Sequence, residues 1–394
     1  MRVGILNSAS VTDHGGGLQY MISLAAGLRS FPDLDVTVFY DDPRFAGFCE
    51  ADAGVRTVAL RAGGERFAAL VRAVSTVANV HSPLVGRFNV LREHGLDCIV
   101  TDSSLVGFHL GIPFVGIIHD VMYRYYPDCG EYPWNERLMR DLIYRRLGRH
   151  ADRIVVDSEH SKADLVRFFG LDPARIWPVP MSPPPHAHDG EHVAEAVSEL
   201  KAKRLLPERF LFYPAQLWDH KNHRRLFEAV ARLRREGLIV PLVLTGGLRG
   251  ATGEAILATV PALGLADQVF YLGYVSEREI VALYKLAVAL VFPSFADYTN
   301  IPILEAMALG TPVICSNLFA MPEHLDGAGV LFDPFDVDDI ASAIRRVWEN
   351  ASLRREMAVK GRRRVAHFSL DAFAARWREV LIETAGKAAV RQVG

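Results

Sequence analysis

Two carboxylates, Asp297 and Glu305, stand eight positions apart in VFPSFADYTNIPILEAMALGTPVICSN, residues 291–317. A carboxylate accepts two hydrogen bonds in one plane, a geometry that neighbouring hydroxyls of a sugar match, and each charge-assisted bond contributes about 1.5 to 3 kcal/mol. Asp297 falls in a loop after a buried strand and Glu305 about a turn inside a helix, so both can border one ligand. Thr299 and Asn300 are candidate caps of that helix, Pro302 sits in its first turn and Gly310 closes it. The backbone amides from Ile301 onward lack helical partners and lie at the positive end of the helix dipole, which suits a phosphate. A plainer alternative stays open: the two acids only cap the helix and complement its dipole.

A second group lies in FLFYPAQLWDHKNHRRLFEAVARL, residues 210–233, which reads as strand, loop and helix. Lys221 is one of only seven lysines in an arginine-rich chain, and a compact ammonium near a helix start complements a diphosphate. Gln216 can donate hydrogen bonds there. Arg224 and Arg225 either add positive charge or form a solvated face. Earlier in the chain, GIIHDVMYRYYP puts His119 and Asp120 directly after a buried strand, at the end of a sheet where ligands bind. Asp120 then reads as an orienting partner or a helix cap. Gly15, Gly16 and Gly17 follow the first strand and either let backbone approach a ligand or supply positive φ at a helix entry. Ser158, Glu159 and Ser161 read as a strand, turn and capped helix of structural use.

These side chains need scaffolds. At 394 residues the chain exceeds what one hydrophobic core serves, so two domains are expected. Short apolar runs alternate with helical stretches: VGILN, DVTVFY, DCIVTD, FVGIIHD and RIVVDS before residue 160, then RFLFYPA, PLVLTGG, VFYLGYV, VALVFPS, PVICSN and GVLF after 208. Such alternation implies parallel sheets covered on both faces. In LQYMISLAAGL, Leu18, Met21, Ile22, Ala25 and Leu28 recur at helical spacing and predict one buried stripe. MSPPPHAHDGEH, residues 181–192, is the expected linker, and its pair His186 and His188 reads as solvated. The expected domains are therefore 1–185 and 193–370, with 371–394 as a terminal helix. A net charge of -2 gives no bulk attraction to nucleic acid. Cys49, Cys98, Cys129 and Cys315 are scattered, with neither a disulfide framework nor a zinc spacing, which fits a reducing compartment. No run of about 18 apolar residues is present, so the expectation is a cytoplasmic protein.

PSFADYTNIPILEAMALGTPVI resembles the signature of the retaining, nucleotide-sugar-dependent glycosyltransferases of family 4, and the Lys-Asn loop at 221–222 resembles theirs as well. The resemblance covers the whole chain in order. It implies the GT-B fold: α/β, two facing Rossmann-like doubly wound parallel-sheet domains with an inter-domain cleft, the last helix crossing back to the first domain. It implies that Glu305 holds the ribose, Asp297 the sugar hydroxyls and Lys221 the diphosphate, and that the phosphates meet the amides after Thr299 and Asn300, beginning with Ile301. It also implies that His119 lies near the donor sugar and that Gly16 and Gly17 approach the transferred group. No metal or other cofactor is implied. The donor would be a nucleoside diphosphate sugar, and the acceptor a glycan, a lipid-linked intermediate or a small molecule. Two departures leave the donor open: Asp297 stands where the family usually has glutamate, and Gln216 where it usually has arginine.

A dinucleotide-dependent oxidoreductase requires G-x-G-x-x-G directly after the first strand, whereas seven residues separate Asn7 from Gly15. A nucleotide-sugar epimerase of the same architecture and a non-catalytic sugar-nucleotide-binding partner subunit remain alternatives. The stretch 137–153, RLMRDLIYRRLGRHADR, is basic and amphipathic. It reads either as a helix packed on its domain or as a peripheral contact with an anionic bilayer.

Overall fold

A computed structural model describes residues 1–7, 16–40, 42–60, 74, 89–101, 111–127, 132–187, 193–203, 206–298 and 300–393. The chain divides into two compact units, residues 1–182 with 370–394, and residues 183–369.

The first unit is built on seven strands: β1 (Arg2–Asn7), β2 (Asp35–Tyr40), β3 (Arg56–Ala59), β4 (Cys98–Thr101), β5 (Phe114–Ile117), β6 (Arg153–Val156) and β7 (Ile176–Pro178). They pair in the order β3-β2-β1-β4-β5-β6-β7, and every pairing is parallel. The central strands β4, β5 and β6 are buried at every position, which is why they read as unbroken apolar runs. The outer strands β3 and β7 are short and partly exposed, and the sequence reading passed over them.

The helix Gly16–Arg29 corrects the expected single stripe, because Tyr20 and Leu24 are buried as well as Met21, Ile22, Ala25 and Leu28, while Leu18 is only half-buried. A second element covers its other side. The helix Leu370–Val393 brings Ala374 against Gly27, where a Cβ would stand 2.9 Å from the alanine methyl. On the same contact Trp377 Nε1 donates to Tyr20 Oη at 3.1 Å.

The second unit carries β8 (Leu211–Pro214), β9 (Leu242–Thr245), β10 (Val269–Tyr271), β11 (Ala289–Phe292), β12 (Val313–Ser316) and β13 (Val330–Phe332). Their order is β10-β9-β8-β11-β12-β13, again parallel throughout. Chain order reverses between β8 and β11, which lie side by side with Leu211 opposite Ala289 and Phe212 opposite Leu290. The loops leaving a sheet at such a switch point diverge and open a crevice at the carboxyl ends of the strands. Lys221 follows β8 and Asp297 follows β11, so the topology brings these two loops together.

The stretch 181–187 is not a solvated linker. Met181, Ser182, Pro183 and Pro184 are buried, and Pro185–Ala187 forms a 3-10 turn. His188 lies outside the described residues. The helix Trp134–His150 packs on the first unit with Tyr144, Arg146 and Leu147 buried, leaving Trp134 71% and Leu138 51% exposed at its start. Among the described residues no helix is long and apolar enough to cross a membrane.

Candidate functional site

The loop after β8 is fastened before Lys221 is placed. Asn222 takes φ 61 and is buried, and its amide donates to Pro293 O at 3.0 Å and Pro334 O at 2.7 Å. Asparagine tolerates this left-handed backbone better than most residues, so one side chain supplies both the turn and the tether. From the other side, Phe295 N and Ser294 Oγ each donate to His220 O at 3.0 Å. Tyr213 Oη holds Lys221 O at 2.8 Å. With the two loops stitched in this way, Lys221 Nζ meets Asp297 Oδ1 at 2.8 Å and Oδ2 at 2.7 Å. Both side chains keep some solvent access, 17% and 19%.

Glu305 is held differently. Its side chain is buried beneath the helix Ile301–Leu309, where Oε2 accepts from Tyr284 Oη at 2.7 Å and Oε1 lies 2.8 Å from His186 Nε2. His186 Nδ1 faces Glu277 Oε1 at 3.7 Å. Burial alone would depress this imidazole, but Glu277 and Glu305 outweigh it and raise its pKa to about 9, so it is a cation at neutral pH. His186 is thus the opposite of a solvated linker residue, and the expectation is corrected: its partners, 119 and 91 positions along the chain, are invisible to local pattern. The Tyr284 phenol is pushed well above its ordinary value by burial and then by the adjacent Glu305.

The helix Ile301–Leu309 begins after Asn300, which takes φ 53, and no side chain among the described residues caps it. Asn300 instead turns its amide to Tyr298 O at 2.9 Å. Within the first turn Pro302 carries no N–H and Ile303 N donates to Asn300 O at 2.9 Å. Among the described hydrogen bonds neither Asp297 nor Glu305 caps this helix. Thr299, Gly15 and Cys129 lie outside the described residues. Gln216 Oε1 accepts from Trp218 Nε1 at 3.1 Å and from Arg249 Nε at 2.8 Å. Arg224 and Arg225 point their guanidiniums to Ala255 O and Asn222 Oδ1, both at 3.1 Å.

In the first unit Gly16 and Gly17 open the helix Gly16–Arg29, and His119 follows β5. The His119 ring meets Tyr20 edge-on at 5.1 Å, and its Nε2 is buried with no hydrogen-bond partner among the described residues. Burial depresses its pKa, with Arg140 adding to this and Asp120 opposing it, so the imidazole is neutral at pH 7. Asp120 accepts from Met122 N at 3.2 Å, at the start of the short helix Met122–Tyr125. Ser158 caps the helix Glu159–Phe169 through Ser161 N.

Residues 197–364 match the model for glycosyl transferases group 1, and residues 15–181 match the glycosyl transferase 4-like domain. The chain belongs to the group 1 glycosyltransferases. It is 30% identical over 255 residues to O-antigen chain mannosyltransferase B of Escherichia coli, covering 62% of this chain and 64% of that one. It is 27% identical over 221 residues to serotype-specific mannosyltransferase WbdA of Escherichia coli, covering 56% of this chain. The chain thus spans less than two thirds of the first relative and 27% of the second. The solved structure of Anabaena Alr3699/HepE in complex with UDP and glucose superposes with a TM-score of 0.75 at 17% identity, covering 96% of this chain and 98% of that one. At that identity the likeness shows the fold, which is GT-B. The sequence pattern points to Lys221, Asp297 and Glu305, whereas the contacts of His186 and Tyr284 with Glu305 and of Arg249 with Gln216 lie outside what it shows.

Proposed function

We propose that the chain moves a hexosyl unit from a nucleoside diphosphate sugar, of the UDP or GDP type, to an acceptor hydroxyl with retention at the anomeric carbon. The observation that carries this reading is the meeting of Lys221 and Asp297 beside the start of the helix Ile301–Leu309 at the β8/β11 switch point, with Glu305 fixed in the same helix. In this reading Lys221 neutralises the departing diphosphate, which also meets the amides from Ile301. Asp297 takes the hydroxyls of the transferred sugar and Glu305 those of the ribose. Gln216, Thr299 and Asn300 complete the donor-binding set.

Chemistry at the anomeric carbon passes through an oxocarbenium-like state, so fixed charge around the leaving group lowers the barrier. A leaving phosphate oxygen takes the acceptor's proton during front-face attack. In this reading His119, neutral and with Nε2 unbonded among the described residues, serves the donor sugar, and Gly16 and Gly17 admit the transferred group. The acceptor is a glycan, a lipid-linked intermediate or a small molecule, in cell-surface glycan assembly on the cytoplasmic side. Mannosyl donors are the first to test, given the mannosyltransferases among the relatives.

Thermal-shift titration with UDP, GDP and their sugars tests the donor class, since a ligand at 100 times its Kd adds about 2.7 kcal/mol of stability. A transfer assay then reads the anomeric configuration of the product. No shift with any nucleoside diphosphate ends the reading. A shift without transfer to any acceptor favours the non-catalytic partner subunit, and a changed free sugar nucleotide favours the epimerase.

A further inference from the structure

The loop after β9 carries Arg249, whose guanidinium is held by neutral groups. Arg249 Nε donates to Gln216 Oε1 at 2.8 Å, and Arg249 Nη2 bonds the same oxygen. Its guanidinium lies 5.1 Å from the ring centroid of Trp218, whose own Nε1 donates to that oxygen at 3.1 Å. Gln216 Nε2 in turn donates to Tyr274 Oη at 3.4 Å. These partners are all neutral. Among the described residues no carboxylate pairs with Arg249, whereas the ammonium of Lys221 is balanced by Asp297.

The backbone decides where this guanidinium stands. Leu217 N donates to Gly247 O at 3.1 Å, which ties the loop after β8 to the loop after β9. At Gly246, φ is 125 and a Cβ would lie 2.5 Å from Ala215 O, so only glycine permits this approach. Lys221 N donates to Trp218 O at 3.1 Å, which joins the bracket of Arg249 to the turn that bears Lys221. Two N–H groups of Arg249 are used on Gln216, leaving three of the five that a guanidinium carries. A planar cation resting on an indole and pinned along one edge has lost most of its rotamer freedom already, so little ordering remains when an anion binds its free edge. Arg224 and Arg225, the nearer candidates by sequence, are engaged elsewhere: Arg224 with Ala255 O, Arg225 with Asn222 Oδ1 and the ring of Phe335.

We propose that Arg249, oriented by Gln216 and Trp218, is a second cationic ligand of the donor diphosphate beside Lys221. The assignment rests on the donor-binding reading above and goes beyond it by naming a residue from a different loop. Gln216 is then a positioning residue, the amide against which a charge supplied by the neighbouring loop is held.

Calorimetric titration at low salt with UDP and GDP, and by displacement with uridine and guanosine, tests this on the full chain. Nucleoside and diphosphate differ only in the phosphates. Arg249→Ala is expected to weaken the preferred diphosphate about 10- to 100-fold and leave the nucleoside unchanged. Arg249→Lys recovers part of the loss, because it restores charge without the planar fork. Gln216→Arg in the Arg249→Ala background recovers most of it, by returning a cation to the Lys221 loop. Unchanged diphosphate affinity in Arg249→Ala overturns the proposal, as does an equal loss for the nucleoside. Lys221→Ala, measured alongside, separates two failures. If Lys221→Ala weakens the diphosphate and Arg249→Ala does not, only the Arg249 assignment falls; if the wild type binds neither UDP nor GDP, the donor-binding reading falls with it.

Discussion

Asp297 and Glu305 have the same charge and flank one helix entry, yet the protein holds them in opposite ways. Asp297 sits in a loop, partly exposed, paired with the flexible ammonium of Lys221. Glu305 is buried, with one oxygen on a phenol and the other on an imidazolium. A partly exposed pair is weakly held, because water competes for both partners and the side chains must be ordered to meet. A buried carboxylate with both oxygens engaged cannot change partners without leaving a buried charge uncompensated. The contrast suits a division of labour in which Glu305 is a fixed anchor and the Lys221–Asp297 pair rearranges as a substrate's charge develops.

The largest expected effect breaks the mobile half. If Lys221 neutralises the leaving diphosphate, Lys221→Ala lowers kcat at least about 100-fold, because one preorganised electrostatic donor is worth about 2.7 to 4 kcal/mol of barrier. Tm changes little, since the lost pair is partly exposed. Wild-type kcat in this variant removes the diphosphate role and with it the rearranging pair.

A smaller effect tests the anchor through pH. His186 is raised from an ordinary 6.5 to about 9 in the folded chain, by Glu277 and Glu305 against the effect of burial. A raised pKa means that the folded state binds the proton more tightly, so the bridge stabilises fully below about 6.5 and its contribution is lost as pH rises through 9. Between pH 7 and 10 the loss is on the order of 2 kcal/mol, a few degrees in Tm. His186→Gln, which keeps a donor but cannot titrate, flattens that part of the Tm profile. A slope identical in wild type and His186→Gln disconnects His186 from the anchor.

Legibility in the sequence follows the same division. Lys221, Asp297 and Glu305 were readable because each sits in a contiguous stretch where strand, loop and helix succeed one another, so their neighbours announce their place. The buried central strands were readable as apolar runs, whereas β3 and β7, at the sheet edges, carry exposed or half-buried positions that blur the pattern. His186 was misread because three prolines before it suggested a solvated linker, and its partners come from two distant helices. Tyr284 resembles any apolar face residue in EREIVALYKL until Glu305 is placed beneath it. Arg249 gave no signal at all, since its use depends on two adjacent strands bringing their loops together. Local chemistry shows in sequence; chemistry assembled across a sheet does not.

The finest test separates the two carboxylates by ligand. If Glu305 holds the ribose and Asp297 the transferred sugar, Glu305→Gln weakens nucleoside diphosphate and intact donor alike, about 10-fold, because both contain the ribose. It also lowers Tm, because His186 loses the carboxylate facing Nε2. Asp297→Asn leaves nucleoside diphosphate affinity close to wild type while reducing transfer, since contacts to the sugar strengthen as charge develops on its ring and are absent from the product nucleotide. Its Tm changes little. The comparison is therefore read from the ratio of the two affinities in each variant, which a general loss of stability does not move. Calorimetric titration of both variants with diphosphate and with donor, beside their Tm values, supplies that ratio. Equal loss of both ligands in Asp297→Asn would mean that Asp297 acts through Lys221 on the diphosphate, and the assignment of this carboxylate to the sugar would end there.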